Sequence, residues 1–326
     1  MPNKAAIFAG CAPAIMTPCD ADGQPDFDEL VRVAQLLIAK GMKAVIWAGS
    51  MGGWPNLSVE GRKEGVRRLV EAGIPVIVGT GHQNPLVSVE FAKHANQVGA
   101  AGLMVIPRQS SRVACEPAQY EHFSAILEAA GEMPCVIYNS KYYGFEVRAG
   151  LFFRLRDRFK NLVGFKEFCG AEALFYAATN ITSGDDDLIL AVGVDTAVCY
   201  GYLNCGATGA ITGIGNILPE QVLYMIKLCE WAASGVEGAS HARRLALELE
   251  EAFGVLAKYD EGPDLVLYYK YLMVLAGFDK FEHSLIPTDK LSNSQKLHAQ
   301  SQYNQFLHWW ADWEGRPFCE THIQLI

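Results

Sequence analysis

Residues 161–170 read NLVGFKEFCG, and the fold is decided by how this stretch is taken. Leu162, Val163 and Phe165 lead to Lys166, and Phe168 follows, so the run is continuously apolar rather than alternating. A strand apolar on both faces belongs in a parallel sheet covered on both sides. Lysine is rarely buried without a partner, so Lys166 needs either a counter-ion or a task.

Working outward, similar runs recur: FAGCAPAIM (8–16), KAVIWAG (43–49), PVIVGTG (75–81), GLMVIP (102–107), PCVIYN (134–139), LILAVG (188–193) and TGAITG (208–213). Between them, 27–40, 58–72, 85–98, 117–130 and 151–159 carry apolar residues at three-to-four spacing, which predicts amphipathic helices. Eight such strands with their helices predict an α/β fold, a (β/α)8 TIM barrel. An open doubly wound sheet would want a phosphate-binding glycine fingerprint after the first strand, where this chain has Ala-Gly-Cys-Ala-Pro. After Pro219 strand signals stop and helical segments follow at 219–234, 237–258, 264–276 and 291–313. The expected organisation is a barrel core over 1–218 with additional C-terminal helices over 219–326 packed on it.

Composition narrows the function classes. Of 326 residues, 50% are hydrophobic and 19% charged, which suits a large globular core. The net charge of -9 and the lack of a long basic cluster argue against nucleic acid as a partner. No apolar run reaches membrane-span length and MPNKAAIFAG lacks a signal-like apolar stretch, so no membrane association is expected. The nine cysteines are scattered without a C-x-x-C pair, which fits reduced core thiols and a cytoplasmic location. The eight histidines form neither H-x-x-x-H nor H-E-x-x-H, so no metal site is expected.

Barrel enzymes place reactive groups at the C-terminal ends of their strands. Those ends supply Gly49-Ser50-Met51-Gly52-Gly53, His82, Pro107-Arg108, Tyr138-Asn139, Lys166-Glu167, Gly193-Val194-Asp195 and Ile211-Thr212. An amine walled by apolar side chains has its pKa lowered by desolvation, and the free amine attacks a carbonyl to give a Schiff base. The competing reading pairs Lys166 with a carboxylate as structural glue; adjacent Glu167 would point to the opposite face. Tyr138 closes the neighbouring strand, where its phenol can pass a proton during imine formation or simply fill the core. Ser50 lies in a glycine-rich loop, either as a proton relay or as part of a plain turn.

Together, FAGCAPAIMTP, GSMGG, VIYN, GFKEF and GATGAITGIGNILP resemble the dihydrodipicolinate synthase and N-acetylneuraminate lyase family of Schiff-base barrels, from Phe8 to about Phe278. The 28 residues from Tyr138 to Lys166 match the family spacing. The resemblance implies Lys166 as the Schiff-base residue, Tyr138 as acid/base, Ser50 as relay, and substrate contacts at Gly49, Met51, Tyr143, Ile211 and Thr212. It implies a small 2-oxo acid or cyclic imine as substrate, no cofactor, and a homo-oligomer, dimer or tetramer.

Three departures bear on the reaction. Met51 and Gly53-Trp54 replace a second hydroxyl and an acid in the family's loop. Pro107-Arg108-Gln109 stands where the synthases have paired tyrosines, and Tyr143 where they have a carboxylate-gripping arginine. WAGSMGGWP, VIYNSKYYGF, GVDTAV and EGPDLVLYYKYLMVL look most like the branch that deaminates Δ1-pyrroline-4-hydroxy-2-carboxylate to 2-oxoglutarate semialdehyde in hydroxyproline degradation. The alternatives are a synthase-like or aldolase reaction on a 2-oxo acid, a metal-dependent barrel enzyme, and a non-catalytic ligand-binding barrel. Ser183-Gly184-Asp185-Asp186-Asp187 imitates the family's Ser-Gly-Asp-Asp but precedes the seventh strand, so that place goes to Gly193-Val194-Asp195. The Tyr268, Tyr269, Tyr271 and Trp309, Trp310, Trp313 groups read as helix packing.

Overall fold

The computed structural model describes residues 4–109, 114–183, 185 and 187–325. Among these residues eight strands form one parallel sheet: β1 (Gly10–Cys11), β2 (Val45–Trp47), β3 (Val76–Gly79), β4 (Gly102–Val105), β5 (Cys135–Asn139), β6 (Leu162–Glu167), β7 (Ile189–Val192) and β8 (Gly209–Ala210). Their order is β1-β8-β7-β6-β5-β4-β3-β2. The two ends of that order meet, because Ile15 N–H donates to Ile46 O and Ile46 N–H to Pro13 O, each at 2.9 Å. The sheet thereby closes into the expected (β/α)8 barrel.

Strand interiors explain the continuous apolar runs. Every residue of β2 to β7 is buried, with the barrel interior on one side and helices on the other. The first run is shorter as a strand than expected, two residues, and on the side facing β2 Pro13 has no N–H to give. The chain stays extended beyond it, with Ala12 N–H bonded to Ala210 O and Ala14 N–H to Thr212 O.

The outer ring comprises α1 (Phe27–Ala39), α2 (Val59–Glu71), α3 (Pro85–Val98), α4 (Glu116–Ala129), α5 (Ala149–Arg158), α6 (Ala171–Ala177), α7 (Val198–Cys205) and α8 (Pro219–Ser234). Sequence spacing marked all of these except α6 and α7, which are short. The helices start on local signals: Asp26 accepts from Glu29 N–H to cap α1, and Asn84 accepts from Leu86 N–H ahead of Pro85 in α3. On the barrel side, α1 buries Leu30, Val33, Ala34 and Leu37. Helix α2 comes so close to β2 that a Cβ on Gly65 would stand 2.0 Å from the Trp47 ring. Only glycine permits that approach.

The C-terminal helices are α9 (Ala239–Ala257), α10 (Leu265–Leu275), α11 (Asn293–Asp312) and the unexpected α12 (Arg316–His322). Helix α8 sits in the place of the eighth outer helix, packed against α7, α9 and β1. Ser292 and Gln295 form a reciprocal capping box at the start of α11. Trp309 and Trp313 stack at the end of α11 with ring centroids 5.0 Å apart, while Trp310 stacks on Tyr224 of α8 at 6.1 Å. No helix among the described residues is long and apolar enough to cross a membrane.

Candidate active site

Parallel pairing of β5 with β6 sets Tyr138 directly beside Lys166, on the same face of the sheet. Lys166 is only 4% exposed, and its Nζ lies 3.6 Å from the centroid of the Tyr138 ring. Burial lowers the amine from 10.5 to about 7, against the opposing pull of Asp260 and Asp195. The ring face offers the cation modest relief without a full counter-charge. Glu167 is not its partner: that carboxylate accepts from Asn139 Nδ2 and from the Phe168 and Cys169 amides, each at 2.8 Å. The alternation of the strand separates the two side chains.

The Tyr138 phenol is held well above its ordinary pKa, first by burial and then by Tyr143, while Ser140 and Tyr143 lie within its hydrogen-bonding reach. The Tyr138 and Tyr143 rings meet edge to face at 5.3 Å. Tyr143 Oη lies 3.2 Å from Ser50 Oγ, and burial pushes its own phenol up to about 12. Ser50 itself is exposed. Three hydroxyls thus run from solvent through Ser50 and Tyr143 to Tyr138. The sequence reading put Tyr143 at a substrate contact; the structure places it between the other two.

Local backbone supports this corner. Ala48, just past β2, has a φ of 58°, a conformation costly for a residue with a Cβ, and it turns the chain into the Gly49-Ser50 loop. The buried Arg62 guanidinium donates to Gly79 O at 2.7 Å and Gly81 O at 2.5 Å, pinning the end of β3. It is seated on the Phe91 ring at 3.8 Å.

Sequence reasoning missed two side chains here, Asp260 and Tyr269, and left Asp195 without a partner. Asp195 Oδ2 accepts from Gly213 N–H at 2.9 Å, Ile214 N–H at 2.8 Å and Tyr269 Oη at 3.3 Å. Asp260 Oδ2 accepts from Asp195 N–H at 3.0 Å. Both carboxyls are raised, by burial first; Asp260 reaches about 6 and Asp195 is raised further by facing Asp260. Gly193 leaves room for the lysine stem, since a Cβ there would stand 2.5 Å from Lys166 Cε.

The remaining expected residues scatter around the rim. Gly49 packs on Met104, and Met51 lines a cleft of about 520 Å³ with Thr17, Gly53, Lys270 and Leu285; Lys166 and Tyr138 do not line that cleft. Ile211 and Thr212 follow β8 and are buried, with the Thr212 hydroxyl 3.6 Å from Cys11 Sγ. His82 Nδ1 accepts from Asn84 N–H in its own turn. Asp185 and Asp187 precede β7, away from the amine, and Gly184 and Asp186 lie outside the described residues. Among the described residues no cluster of His, Cys, Asp or Glu is arranged to hold a metal ion.

Residues 7–305 match the model of the dihydrodipicolinate synthetase family. The chain belongs to this family. It is 30% identical over 300 residues to a 4-hydroxy-tetrahydrodipicolinate synthase of Sulfurihydrogenibium sp., covering 89% of this chain and 96% of the relative. It is 32% identical over 230 residues to the synthase of that name from Methanothrix thermoacetophila, covering 68% and 74%. Among solved structures, a sialic acid aldolase of Ruminococcus gnavus, a catalytic lysine mutant, superposes with a TM-score of 0.80 at 22% identity, covering 93% and 97%. An Escherichia coli prophage protein of the same family, in complex with pyruvate, gives 0.79 at 24%, covering 92% and 99%. At such identities the superpositions establish the fold, the barrel with C-terminal helices.

Proposed function

We propose that this protein is a lysine Schiff-base lyase acting on a small 2-oxo acid or its cyclic imine. The observation that carries this reading is the amine of Lys166, buried over the Tyr138 ring and held at about 7. At neutral pH roughly half of such an amine is free to attack. Tyr138 donates a proton to the departing oxygen or nitrogen as the carbinolamine or gem-diamine collapses. Tyr143 and Ser50 return that proton from solvent along the hydroxyl chain. The protonated imine then serves as the electron sink that stabilises a carbanion on the neighbouring carbon.

The finer proposal is dehydration and deamination of Δ1-pyrroline-4-hydroxy-2-carboxylate. Lys166 adds to C2 and the ring C2–N bond breaks, leaving an open-chain amine. A proton leaves C3 and the C4 hydroxyl departs as water; the allylic amine so formed loses a proton from C5 and regains protons at C3 and C4 to become a C5 imine, and hydrolysis of that imine and of the Lys166 imine by two waters releases ammonia and 2-oxoglutarate semialdehyde. A less polar loop edge at Met51 and the replacement of arginine by Tyr143 support a substrate different from that of the synthases. A second reading, pyruvate-dependent carbon–carbon bond formation or cleavage, is favoured by the relatives named as synthases.

Borohydride reduction in the presence of pyruvate is expected to attach the reduced adduct to Lys166, read by peptide mass spectrometry. An adduct elsewhere, or none, refutes the lyase. Ammonia release from the hydroxy-pyrroline acid separates the deaminase from the synthase or aldolase.

A further inference from the structure

A carboxyl group from outside the barrel strands is buried at the strand end that flanks the reactive amine, bonded to the Asp195 amide two residues past Gly193, against which the Lys166 stem lies. Asp260 lies in the turn Lys258–Glu261 between α9 and α10, yet it is only 6% exposed. The turn touches the C-terminal rim at the loops after β5 and β7. Glu261 Oε2 pairs with Lys141 at 3.4 Å, its carbonyl accepts from Tyr142 Oη at 3.3 Å, and its Oε1 accepts from Thr196 Oγ1 at 3.4 Å. Asp260 enters past Gly213, where a Cβ would stand 3.1 Å from Asp260 Oδ1 and 2.7 Å from the Tyr269 ring. A side chain at position 213 would shut it out.

Inside, Asp260 accepts from the Asp195 amide, and Tyr269 donates to the Asp195 carboxyl. None of their hydrogen bonds given above comes from lysine or arginine, and the cation that acts on both is Lys166. Two buried acids whose charges oppose one another do not both ionise readily, so the pair keeps one proton. Asp195 is the anchored member, its Oδ2 held by two backbone amides. Its Oδ1 is buried with no partner, which leaves that oxygen to carry the proton the pair keeps while Asp260 is ionised. Of the two, Asp260 acts more strongly on Lys166.

We propose that Asp260, delivered by the C-terminal extension, is the catalytic carboxyl that moves the proton at the carbon next to the imine. The inference rests on the Schiff-base reading above. With a 2-oxo acid bound as its iminium on Lys166, the C3–H bond breaks and the proton goes to the ionised carboxylate of the pair. The electron pair moves through C2 to nitrogen, giving the neutral enamine. Where C4 bears a hydroxyl, the enamine expels it, the same proton passes to the departing oxygen, and water leaves with the carboxylate restored. Atoms and charge balance without any other reactant.

The test uses the full chain with pyruvate and two readouts: borohydride trapping on Lys166, and exchange of the pyruvate methyl protons in heavy water by NMR. In Asp260→Asn the trapped fraction is expected to stay within about twofold of wild type while exchange per adduct falls by roughly 10²- to 10⁴-fold, with partial return in Asp260→Glu. Exchange at the wild-type rate overturns the proposal. Loss of the adduct itself also overturns it, since Asp260 would then serve imine formation. Absence of the adduct in wild type instead refutes the Schiff-base reading, a distinct outcome. If Asp260→Asn does not fold, the wild-type pH profile decides: exchange per adduct should fall as pH drops below about 6, and a flat profile overturns the proposal. The titratable groups facing Asp260 are Asp195, Tyr269, Lys166, Tyr138 and the adjoining Glu261.

Discussion

Replacing Lys166 by methionine should make the protein more stable at neutral pH and less so, relative to wild type, as the solution becomes alkaline. The unfolded chain holds this lysine at 10.5 and the folded barrel at about 7, so between those values the unfolded state binds more protons and wild-type stability rises with pH. Below pH 7 the full penalty is present, a shift worth about 5 kcal/mol; near 10.5 it vanishes. Methionine fills a similar volume and keeps favourable contact with the Tyr138 ring. Urea unfolding of both proteins from pH 7 to 10 should show the advantage of Lys166→Met shrinking by roughly 3 to 4 kcal/mol over that range. A difference that stays constant with pH would refute the claim that Lys166 is buried with a depressed pKa, and the free amine would go with it.

Other expectations follow from the same geometry. Tyr143→Phe should slow adduct formation about 10²-fold while the adduct still reaches its wild-type extent, because the phenol joining Ser50 to Tyr138 is gone; an unchanged rate in stopped reduction experiments removes the relay. Ser50→Ala should cost less than Tyr143→Phe, since water replaces an exposed hydroxyl, and the reverse order would place the essential step at Ser50. Gly65→Ala should destabilise by about 1 to 3 kcal/mol in urea titration, as its Cβ drives into Trp47, without changing the trapping rate of the folded fraction.

Much of the barrel was legible because parallel strands buried on both sides leave a simple signature. The runs around Val45, Val76, Leu103, Val136 and Phe165 each became a fully buried strand. Helices with a broad apolar stripe and a cap, such as α1 and α3, were bounded to within a residue or so. The short α6 and α7 escaped because two turns carry too little periodicity to register. Proline at position 13 withholds one donor from β2, a local effect within a run that otherwise reads as strand.

Lys166, Tyr138 and Ser50 were marked by the sequence itself: a charge in an apolar run, a phenol closing the strand before it, a hydroxyl among glycines. Each is a conflict or a cue within ten residues. The place of Tyr143 beside Ser50 and Tyr138 and the entry of Asp260 came only with the tertiary structure. Asp260 lies 65 residues from the Asp195 amide it accepts from, and nothing in Tyr-Asp-Glu-Gly distinguishes a buried acid from a solvated turn. Burial and electrostatic pairing depend on which distant segments close over the strand ends, and side-chain periodicity carries no record of that.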